Sequence, residues 1–487
     1  MNAIRTLSGD ALRKSVMAQL APAMQAIALS LGPNGRAALY SVGSGARRAT
    51  SGTDIARRFT GNAAPEVLFR EAMVAAERDM GDGTARLAVM AEAAYRAGLR
   101  MVAAGVHPTQ LIRDVAALRD EIGVHFAAVT RVNADFEAVL LAAGLDASMQ
   151  CHLHEALRLA GPDGHVELTR TTDRELRLEH IEGFTADMEP LLSGEMGHMD
   201  RVYLLVANDI ISDFRRLAPV IEGFARSDKA LVIAARGLEG SARQLLERNR
   251  KAGVLRIAAI TPTDKGPRAA EILRDLACAT GAGMVSEETG QTLETLTPEM
   301  LGFAESFRRS GRRITLTKPG GDPVAVAMRL NEIEAEIQRN RYLALDREHA
   351  QRRHARILGC WVELLVGENP GNPDLFGKLS RALASVRSAR MGGSIDGAGA
   401  GLTAVAELLE SGNRGGGLVS AARQIVIEAL RAPGRHLRRN AGLEALDGTL
   451  PADGLQDPSR LSRDALDTAL SLALQLLSLE SAVLRKK

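Results

Sequence analysis

The chain has 487 residues, of which 46% are hydrophobic and 25% charged, and its formal net charge is +2 at pH 7. The length predicts two to four folding units, and the apolar fraction excludes long disorder. So small a net charge gives no support for non-specific nucleic-acid binding. The obvious basic run, Arg485-Lys486-Lys487, is expected to be a solvated tail.

Cysteine usage and hydropathy indicate the compartment. Cys151, Cys278 and Cys360 lie far apart without paired spacing, which is typical of a reducing cytoplasm rather than a disulfide framework. The N-terminus resembles an amphipathic helix rather than a signal peptide, and no apolar stretch reaches about 18 residues. We therefore expect a soluble, cytoplasmic protein without a membrane span.

Helical periodicity dominates the first part of the chain. Apolar residues recur at three- and four-residue steps at Leu12, Val16, Leu20, Met24, Ile27 and Leu31. This spacing predicts a helix that ends at Leu31-Gly32-Pro33-Asn34-Gly35, because glycine and proline favour a turn. A second helix is predicted over residues 85–97, directly after Gly81-Asp82-Gly83-Thr84.

The middle of the chain has a different pattern. Short apolar runs at residues 202–207, 230–235 and 254–260 predict strands, and residues 213–225 and 239–252 predict helices. Strands that alternate with helices indicate an α/β unit with a largely parallel sheet. Near the C-terminus, an apolar stripe from Leu461 to Leu477 predicts a buried helix. Helical ends around an α/β middle indicate a discontinuous architecture in which the two ends fold together.

Two glycine turns beside helices are candidate phosphate sites. They are Ser30-Leu31-Gly32-Pro33-Asn34-Gly35-Arg36 and Gly81-Asp82-Gly83-Thr84. Glycine lets the backbone approach an anion, a helix N-terminus supplies N–H donors, and an aspartate can hold Mg²⁺. The structural alternative for the second turn is a plain N-cap. Neither turn matches the P-loop pattern.

A cluster of metal-ligand residue types occurs at Cys151-His152-Leu153-His154-Glu155. On a helix these positions do not converge on one tetrahedral ion, and the usual zinc spacings are absent. We expect a surface helix with two incidental histidines, and no metal there.

Together and in order, several short segments resemble the GroEL-type chaperonins along nearly the whole chain. The matching segments are Leu31-Gly32-Pro33 with Gly35-Arg36, Asp82-Gly83-Thr84, Ala103-Ala104-Gly105-Val106-His107-Pro108, Ile181-Glu182-Gly183, Ser286-Glu287-Glu288-Thr289-Gly290, Arg431-Ala432-Pro433 and Asp457-Pro458-Ser459. The resemblance is to the group I bacterial branch of the family.

The resemblance implies a multidomain α and α/β fold in which a helical equatorial domain, a small intermediate domain and an inserted apical α/β domain make one subunit. The implied boundaries are 1–129 and 393–487 for the equatorial domain, 130–181 and 361–392 for the intermediate domain, and 182–360 for the apical domain. It also implies ATP-driven folding of non-native polypeptides in a homo-oligomeric ring, usually with a co-chaperonin lid.

The resemblance also implies a nucleotide site. The positions that it assigns to ATP are Ser30, Leu31, Gly32, Pro33, Asp82, Gly83, Thr84, Ala85, Ala398 and Asp457. Within this set Asp82 is the implied Mg²⁺ ligand and Asp457 the implied ribose contact, while Ala398 lies in the glycine-rich turn Gly397-Ala398-Gly399.

The same site departs from the family pattern at its catalytic positions. Three consecutive threonines of the family become Thr84-Ala85-Arg86, and Thr50-Ser51-Gly52 lacks an acidic residue. Arg381 stands at the position of the catalytic aspartate, so we assign no catalytic residue. An arginine cannot act as the base that orients water, although it can pair with a phosphate. We therefore expect ATP hydrolysis to be weakened or lost, which leaves open whether the chain is an enzyme.

The polypeptide-binding face implied by the resemblance is unusually polar. Its positions are Leu191, Leu192, Ala218, Ile221, Arg243, Glu247 and Arg248. Promiscuous capture of non-native chains needs exposed apolar area, so a charged face predicts more polar and more specific partners. The alternative is that these charges only solvate an unused face.

The junctions between domains keep part of the family's glycines. Gly183 and Gly393 match junction glycines, whereas Gly359-Cys360 replaces a glycine pair. Trp361, the only tryptophan, is expected to pack at this junction.

Three functions follow from these residues. The first is a chaperonin-family protein that binds polypeptides with weakened ATP coupling. The second is a chaperonin with rearranged but working ATPase residues. The third is a scaffold subunit that co-assembles with an authentic chaperonin, which a small set of defined partners would distinguish from the first.

Overall fold

The computed structural model describes residues 4–32, 35–42, 45–59, 61, 63–162, 164–173, 175–194, 197–227, 229–286, 290–340, 343–368, 374–412, 420–442 and 454–485. Two compact units divide the described chain. The first comprises Met1–Cys151 and Asn369–Lys487, and the second His152–Glu368. Both ends of the chain therefore belong to one unit and the middle to the other.

The N-terminal part of the chain forms eleven described elements, the last of which, α8, continues into the second unit. They are β1 (Ile4–Ser8), α1 (Gly9–Leu29), β2 (Ala38–Val42), β3 (Gly45–Ala49), α2 (Gly52–Phe59), α3 (Ala64–Met80), α4 (Thr84–Ala103), α5 (Pro108–Ala117), α6 (Arg119–Val129), α7 (Phe136–Ala142) and α8 (Ala147–Ala160).

The elements of the second unit that follow are β4 (His165–Arg170), β5 (Arg177–Ile181), β6 (Phe184–Pro190), β7 (His198–Ile211), α9 (Ala218–Ser227), β8 (Ala230–Leu238), α10 (Gly240–Lys251), β9 (Arg256–Pro262), α11 (Pro267–Thr280), β10 (Met284–Val285), β11 (Gly302–Ser310), β12 (Arg313–Pro319), α12 (Pro323–Arg339), α13 (Ala344–Leu358) and β13 (Trp361–Val366).

The chain then returns to the first unit through α14 (Leu375–Gly392), β14 (Ser394–Asp396), α15 (Ala400–Ser411), α16 (Ala421–Asn440), β15 (Gln456–Pro458), α17 (Ser459–Leu477) and β16 (Ser481–Arg485). None of the helices in these described ranges is both long and apolar enough to cross a bilayer.

The core of the first unit is helical. α4 packs against α1, α16 and α17, so helices from both ends of the chain share one core. α4 and α17 bury apolar side chains around most of their circumference, which is typical of a central helix. The helices predicted near residues 12–31, 85–97 and 461–477 are confirmed as α1, α4 and α17, and α17 is buried as expected.

The extreme ends of this unit are strands rather than a helix and a tail. β1 pairs antiparallel with β16, with Ile4 opposite Arg485. The expectation of a tail that includes Arg485 was therefore wrong, whereas the amphipathic helix expected after the first residues is α1. The partners are far apart in the sequence, so a local pattern cannot show the pairing. Lys486 and Lys487 lie outside the described residues.

The second unit is built on a sheet that has seven strands in the described part of the chain. β7, β8 and β9 are parallel neighbours, with Val202 opposite Ala230 and Ala230 opposite Arg256. This confirms that the three predicted strands are parallel, but the expectation of a largely parallel sheet was wrong, because four of the described strand pairings are antiparallel. Antiparallel pairings continue through β11, β12 and β6 back to β9, so six of the strands form a closed circuit.

Both faces of this sheet are covered by helices. On β7, Val202, Leu204 and Val206 pack toward α11, whereas Leu205 and Ala207 pack toward α9 and α10. This alternation follows from the two-residue period of a strand. Burial on both faces explains why the strand sequences are continuously apolar.

A smaller sheet in the described part of the second unit has the order β4-β13-β5, with β13 parallel to β4 and antiparallel to β5. Its central strand begins with Trp361, which is 1% exposed.

Candidate functional site

Two glycines shape the turn before α4. Gly81 and Gly83 have φ of 73° and 84°, in the left-handed region. A Cβ on Gly81 would lie 2.7 Å from Ala384 Cβ, and one on Gly83 would lie 2.6 Å from Leu461 Cδ2. Glycine is therefore required by both conformation and space. The turn holds Asp82 directly before the N-terminus of α4.

Asp82 is connected to α14. Ser385 Oγ donates a hydrogen bond to Asp82 Oδ2 at 2.7 Å. Ser385 lies one helical turn after Arg381, on the same face of α14. The structure thus brings the predicted Mg²⁺ ligand close to the helix that carries Arg381.

The segment Thr50-Ser51-Gly52 lies against the first turn of α4. A Cβ on Gly52 would be 2.9 Å from both Thr84 Oγ1 and Ala85 N. Ser51 Oγ accepts a hydrogen bond from the Asp54 N–H at 3.0 Å and so starts α2. The close approach explains a glycine at this position and places the segment beside Thr84.

Asp374, at the start of α14, is a carboxylate of this region that the sequence analysis missed. Arg381 Nη2 donates to Asp374 Oδ2 at 2.9 Å, and Thr50 Oγ1 donates to the same oxygen. Both charged side chains are partly exposed, Arg381 by 25% and Asp374 by 32%. A search for acidic residues two helical turns from Arg381 would have found Asp374, because residues seven positions apart lie on the same face of a helix.

Arg86 and Asp457 form an ion pair at the other side of α4. Arg86 Nη2 lies 2.6 Å from Asp457 Oδ1, and Arg86 Nη1 donates to Ser462 Oγ at 2.5 Å. The two charged side chains are only 15% and 12% exposed. The carboxylate predicted to contact ribose is therefore held by a guanidinium of the protein itself.

The glycine-rich turn Gly397-Ala398-Gly399 directly follows β14, the strand that pairs with the strand of Asp457. β14 pairs with β15, so Ile395 is opposite Asp457, and the Gly397 N–H donates to Leu455 O at 2.9 Å. Ala398 has a φ of 54°, a conformation that costs a residue with a Cβ about 1–2 kcal/mol. The turn packs closely on α16, because a Cβ on Gly399 would lie 2.7 Å from Gly434 Cα.

The segment after α1 is held separately. Ser30 Oγ donates to Ile27 O at 2.7 Å, and Asn440 Nδ2 donates to Leu31 O at 2.9 Å. Gly32 has a φ of 86°, and a Cβ at this position would lie 2.4 Å from Leu437 Cδ2. Among the described residues, no hydrogen bond or ion pair joins this segment to Asp82 or Asp457. Pro33 and Asn34 lie outside the described residues, as do residues 287–289.

The predicted polypeptide-binding residues divide into buried and exposed sets. Leu192 and Ile221 are 3% exposed and belong to the apolar layer under α9 and α10. The sheet takes up their apolar surface in this chain, and their assignment to a polypeptide-binding face stays a prediction. Leu191 and Ala218 are partly buried at the edge of the same layer.

The charged residues of α10 do face outward. Arg243 and Arg248 are exposed, and Arg243 Nε lies 3.6 Å from Glu247 Oε1. Glu247 accepts hydrogen bonds from Ser193 N and Oγ at 3.1 and 3.0 Å. These hydrogen bonds lower the pKa of Glu247, with a smaller contribution from Arg243. The outer surface of α10 is thus polar.

Comparison with known proteins supports the fold. No family model matches the sequence. Among solved structures, the chain is similar to the chaperonin gp146 from the bacteriophage EL 2 (Pseudomonas aeruginosa) in presence of ATP-BeFx. Crystal form I gives a TM-score of 0.73 at 16% identity, and form II gives 0.65 at 17% identity. Each alignment covers 99% of both chains. The chain therefore has the fold of a chaperonin subunit.

Proposed function

We propose that the chain is a divergent relative of the group I bacterial chaperonins that holds polypeptide partners in a homo-oligomeric ring, with ATP hydrolysis weakened or lost. The similarity to gp146 over 99% of both chains supports the chaperonin part. Because gp146 was crystallised with ATP-BeFx, ATP is the nucleotide that we assign to the site. The single observation on which the proposed weakening of the nucleotide site rests is the Arg86–Asp457 ion pair.

The phosphate end of the site fits a nucleotide better than the ribose end does. Gly83 and Thr84 begin α4, where N–H groups and the helix dipole favour an anion. Asp82 supplies a carboxylate that would hold Mg²⁺ there. At the other end, a nucleotide would have to displace Arg86 from Asp457 before its ribose could reach that carboxylate, and this displacement lowers affinity.

The catalytic position supports the same conclusion. The guanidinium of Arg381 stays charged and cannot accept a proton from water. It is also held by Asp374, at 2.9 Å. Loss of a catalytic carboxylate lowers a rate by orders of magnitude.

The remaining parts of this proposal rest on the fold. The domain boundaries at residues 129, 181, 360 and 392 and a cytoplasmic location are parts of the proposal. We also propose polar rather than broadly apolar partners, because Arg243, Glu247 and Arg248 form the outer surface of α10. A co-chaperonin lid and co-assembly with an authentic chaperonin remain predictions.

One observation favours the second function, an ATPase with rearranged catalytic residues. Asp374 brings a carboxylate to Thr50, the segment that touches Thr84. A carboxylate in this region is the chemistry needed to orient an attacking water. Asp374 would take that role only if Arg381 left it, for example to pair with a phosphate.

Steady-state ATP hydrolysis by the purified chain, freed of host chaperonin, separates the two functions. We expect no magnesium-dependent turnover above that of Asp82→Ala. Turnover that is lost in both Asp82→Ala and Asp374→Asn would establish the rearranged ATPase instead. Arg96→Thr is the control, because Arg96 is 54% exposed and pairs with Glu92 rather than with a residue of the candidate site. Sedimentation of the same samples tests the ring, and a monomer would contradict the assembly.

A further inference from the structure

The two carboxylate oxygens of Asp82 have different surroundings. Oδ2 accepts a hydrogen bond from Ser385 Oγ at 2.7 Å. Oδ1 accepts no hydrogen bond from the described residues, and none of the described lysines and arginines forms an ion pair with either oxygen. Asp82 is partly exposed at the turn before α4. One oxygen is therefore held by the protein, while the other is available to a ligand.

The other two carboxylates of the candidate site differ from Asp82 in this respect. Asp457 Oδ1 lies 2.6 Å from Arg86 Nη2, and Asp374 Oδ2 lies 2.9 Å from Arg381 Nη2. A carboxylate whose charge is balanced by a guanidinium attracts a second cation less strongly. Among the three, Asp82 alone keeps a negative charge without a guanidinium partner in the described part of the chain, and it is therefore the one suited to a metal ion.

Ser385 is held firmly enough to fix the orientation of this carboxylate. It is buried in α14, and its neighbour Ala384 packs directly on Gly81, whose Cβ position would lie 2.7 Å from Ala384 Cβ. Gly81 and Gly83 on either side of Asp82 set the path of the backbone but leave the carboxylate free to rotate about its side-chain bonds. The hydroxyl of Ser385 therefore selects one of the orientations that the turn allows.

A carboxylate with one engaged oxygen suits some metal ions better than others. Mg²⁺ demands a regular octahedron and keeps several waters, so it uses one oxygen each from one or two carboxylates together with phosphate oxygens. Ca²⁺ takes about six to eight oxygens and often binds both oxygens of a carboxylate. The described residues contain no group of three acidic, histidine or cysteine side chains that could hold a metal ion. A cation at Asp82 would therefore complete its shell with water and phosphate, as Mg²⁺ does.

We propose that Ser385 is a positioning residue that holds Asp82 as a one-oxygen ligand and so favours Mg²⁺ over Ca²⁺ beside the nucleotide. Ser385 acts through Asp82 and contacts neither the cation nor a phosphate. Hydrogen bonds to ligand carboxylates commonly support metal sites in this way. This role rests on the proposed function, because the cation is expected together with ATP. Without the hydroxyl, Asp82 is free to rotate and to offer both oxygens.

Calorimetric titration of the full chain with ATP in Mg²⁺, in Ca²⁺ and in EDTA tests this role. We expect the unmodified chain to bind ATP most tightly in Mg²⁺. In Ser385→Ala the affinity in Mg²⁺ falls about tenfold, since loss of a hydrogen bond to a metal ligand typically lowers metal affinity about 10–100-fold. The affinity in EDTA stays unchanged and the affinity in Ca²⁺ falls less, so the preference for Mg²⁺ over Ca²⁺ decreases.

Two further variants separate this role from a structural one. Ser388→Ala is the matched control, because Ser388 is a buried serine three residues later on α14 without a described hydrogen bond to Asp82. We expect it to behave like the unmodified chain in all three buffers. Ser385→Thr keeps a hydroxyl and should keep the preference for Mg²⁺. A folded Ser385→Thr that behaves like Ser385→Ala would overturn the role of the hydroxyl.

The outcomes distinguish the role of Ser385 from the nucleotide site itself. Unchanged affinity in Mg²⁺ in folded Ser385→Ala would overturn the role of Ser385 and leave the nucleotide site standing. An equal loss of affinity in EDTA would overturn it as well, because that pattern indicates a general effect on the site. If the unmodified chain binds no ATP in any of the three buffers, the nucleotide site and the role of Ser385 are both wrong.

Discussion

Arg353 in the second unit has three carboxylate partners and is 2% exposed, whereas Arg381 in the candidate site has one carboxylate partner and is 25% exposed. The partners of Arg353 are Glu271, Asp275 and Glu336, on α11 and α12. Asp275 also accepts from Arg329 at 2.8 Å. Guanidinium and carboxylate groups therefore form a buried network in the second unit and a single, partly exposed ion pair in the candidate site.

The difference indicates two roles for arginine in this molecule. In the network, Arg353 and Asp275 are nearly fully buried and each has more than one charged partner, so their interactions fix how α11, α12 and α13 pack. In the candidate site, Arg86 and Arg381 each have one carboxylate partner, at positions that we propose for the nucleotide. We infer that the network specifies structure, while the pairs in the site replace contacts to a ligand.

The largest expected effect is that of Asp275→Asn. This change leaves Arg329 and Arg353 buried without their shared carboxylate, so we expect the second unit to lose about 3–5 kcal/mol of unfolding free energy. Trp361 lies in the same unit, and its fluorescence during denaturant unfolding measures the loss. Glu332→Gln is the control, because Glu332 is 51% exposed and pairs with the same Arg329. Equal losses of unfolding free energy in the two variants would contradict the distinction between the buried network and an exposed ion pair.

A smaller effect is expected for Gly83→Ala, which tests whether backbone packing rather than ion pairing holds the site together. The left-handed φ costs alanine about 1–3 kcal/mol, and Leu461 leaves no space for the Cβ. Gly105→Ala is the matched control, with a φ of 95° and nothing within 4 Å of its Cβ. Far-UV circular dichroism during unfolding measures both, and a loss no larger than that of Gly105→Ala would contradict the packing argument.

Acid sensitivity should arise from the network. The imidazole of His349, whose Nε2 lies 3.3 Å from Glu271 Oε2, and then the charge of Arg353 hold the pKa of Glu271 below its usual range. The folded protein therefore binds fewer protons than the unfolded chain, and the stabilisation is lost as the pH falls below about 4.5 through the folded pKa. We expect a shallower acid decline in Glu271→Gln than in the unmodified chain. Parallel declines would exclude Glu271 as a contributor.

No gain at all is expected from Arg381→Asp. The new carboxylate would face Asp374 instead of pairing with it, and Thr50-Ser51-Gly52 still supplies no acidic residue. Like charges at that distance disfavour ionisation of both groups. Magnesium-dependent ATP turnover in this single variant would show that Arg381 alone accounts for the loss of activity that we propose.

Local sequence patterns predicted the helices and strands that have a clear apolar periodicity or a short apolar run. α1, α4 and α17 have long apolar stripes, and β7, β8 and β9 have short apolar runs, so burial alone defines them. The β1–β16 pair and the closed circuit of strands were not predicted, since their partners lie far apart in the sequence.

The site was predictable to a similar extent. The glycines around Asp82 indicated a turn before a helix, and the structure has that turn. The partner of Arg86 lies 371 positions away and that of Thr50 lies 324 positions away. Neither contact leaves a local signal, so the sequence could show that Arg86 replaces a hydroxyl but not that it pairs with Asp457.

The central claim is that Arg86 competes with nucleotide for Asp457, and calorimetric titration of the full chain with Mg·ATP tests it most directly. Arg86→Thr is compared with the unmodified chain and with Arg96→Thr, whose arginine pairs with Glu92 on the same helix. The account predicts that Arg86→Thr binds about tenfold more tightly, which corresponds to about 1.4 kcal/mol, while Arg96→Thr is unchanged. Equal or weaker binding by folded Arg86→Thr would contradict the claim.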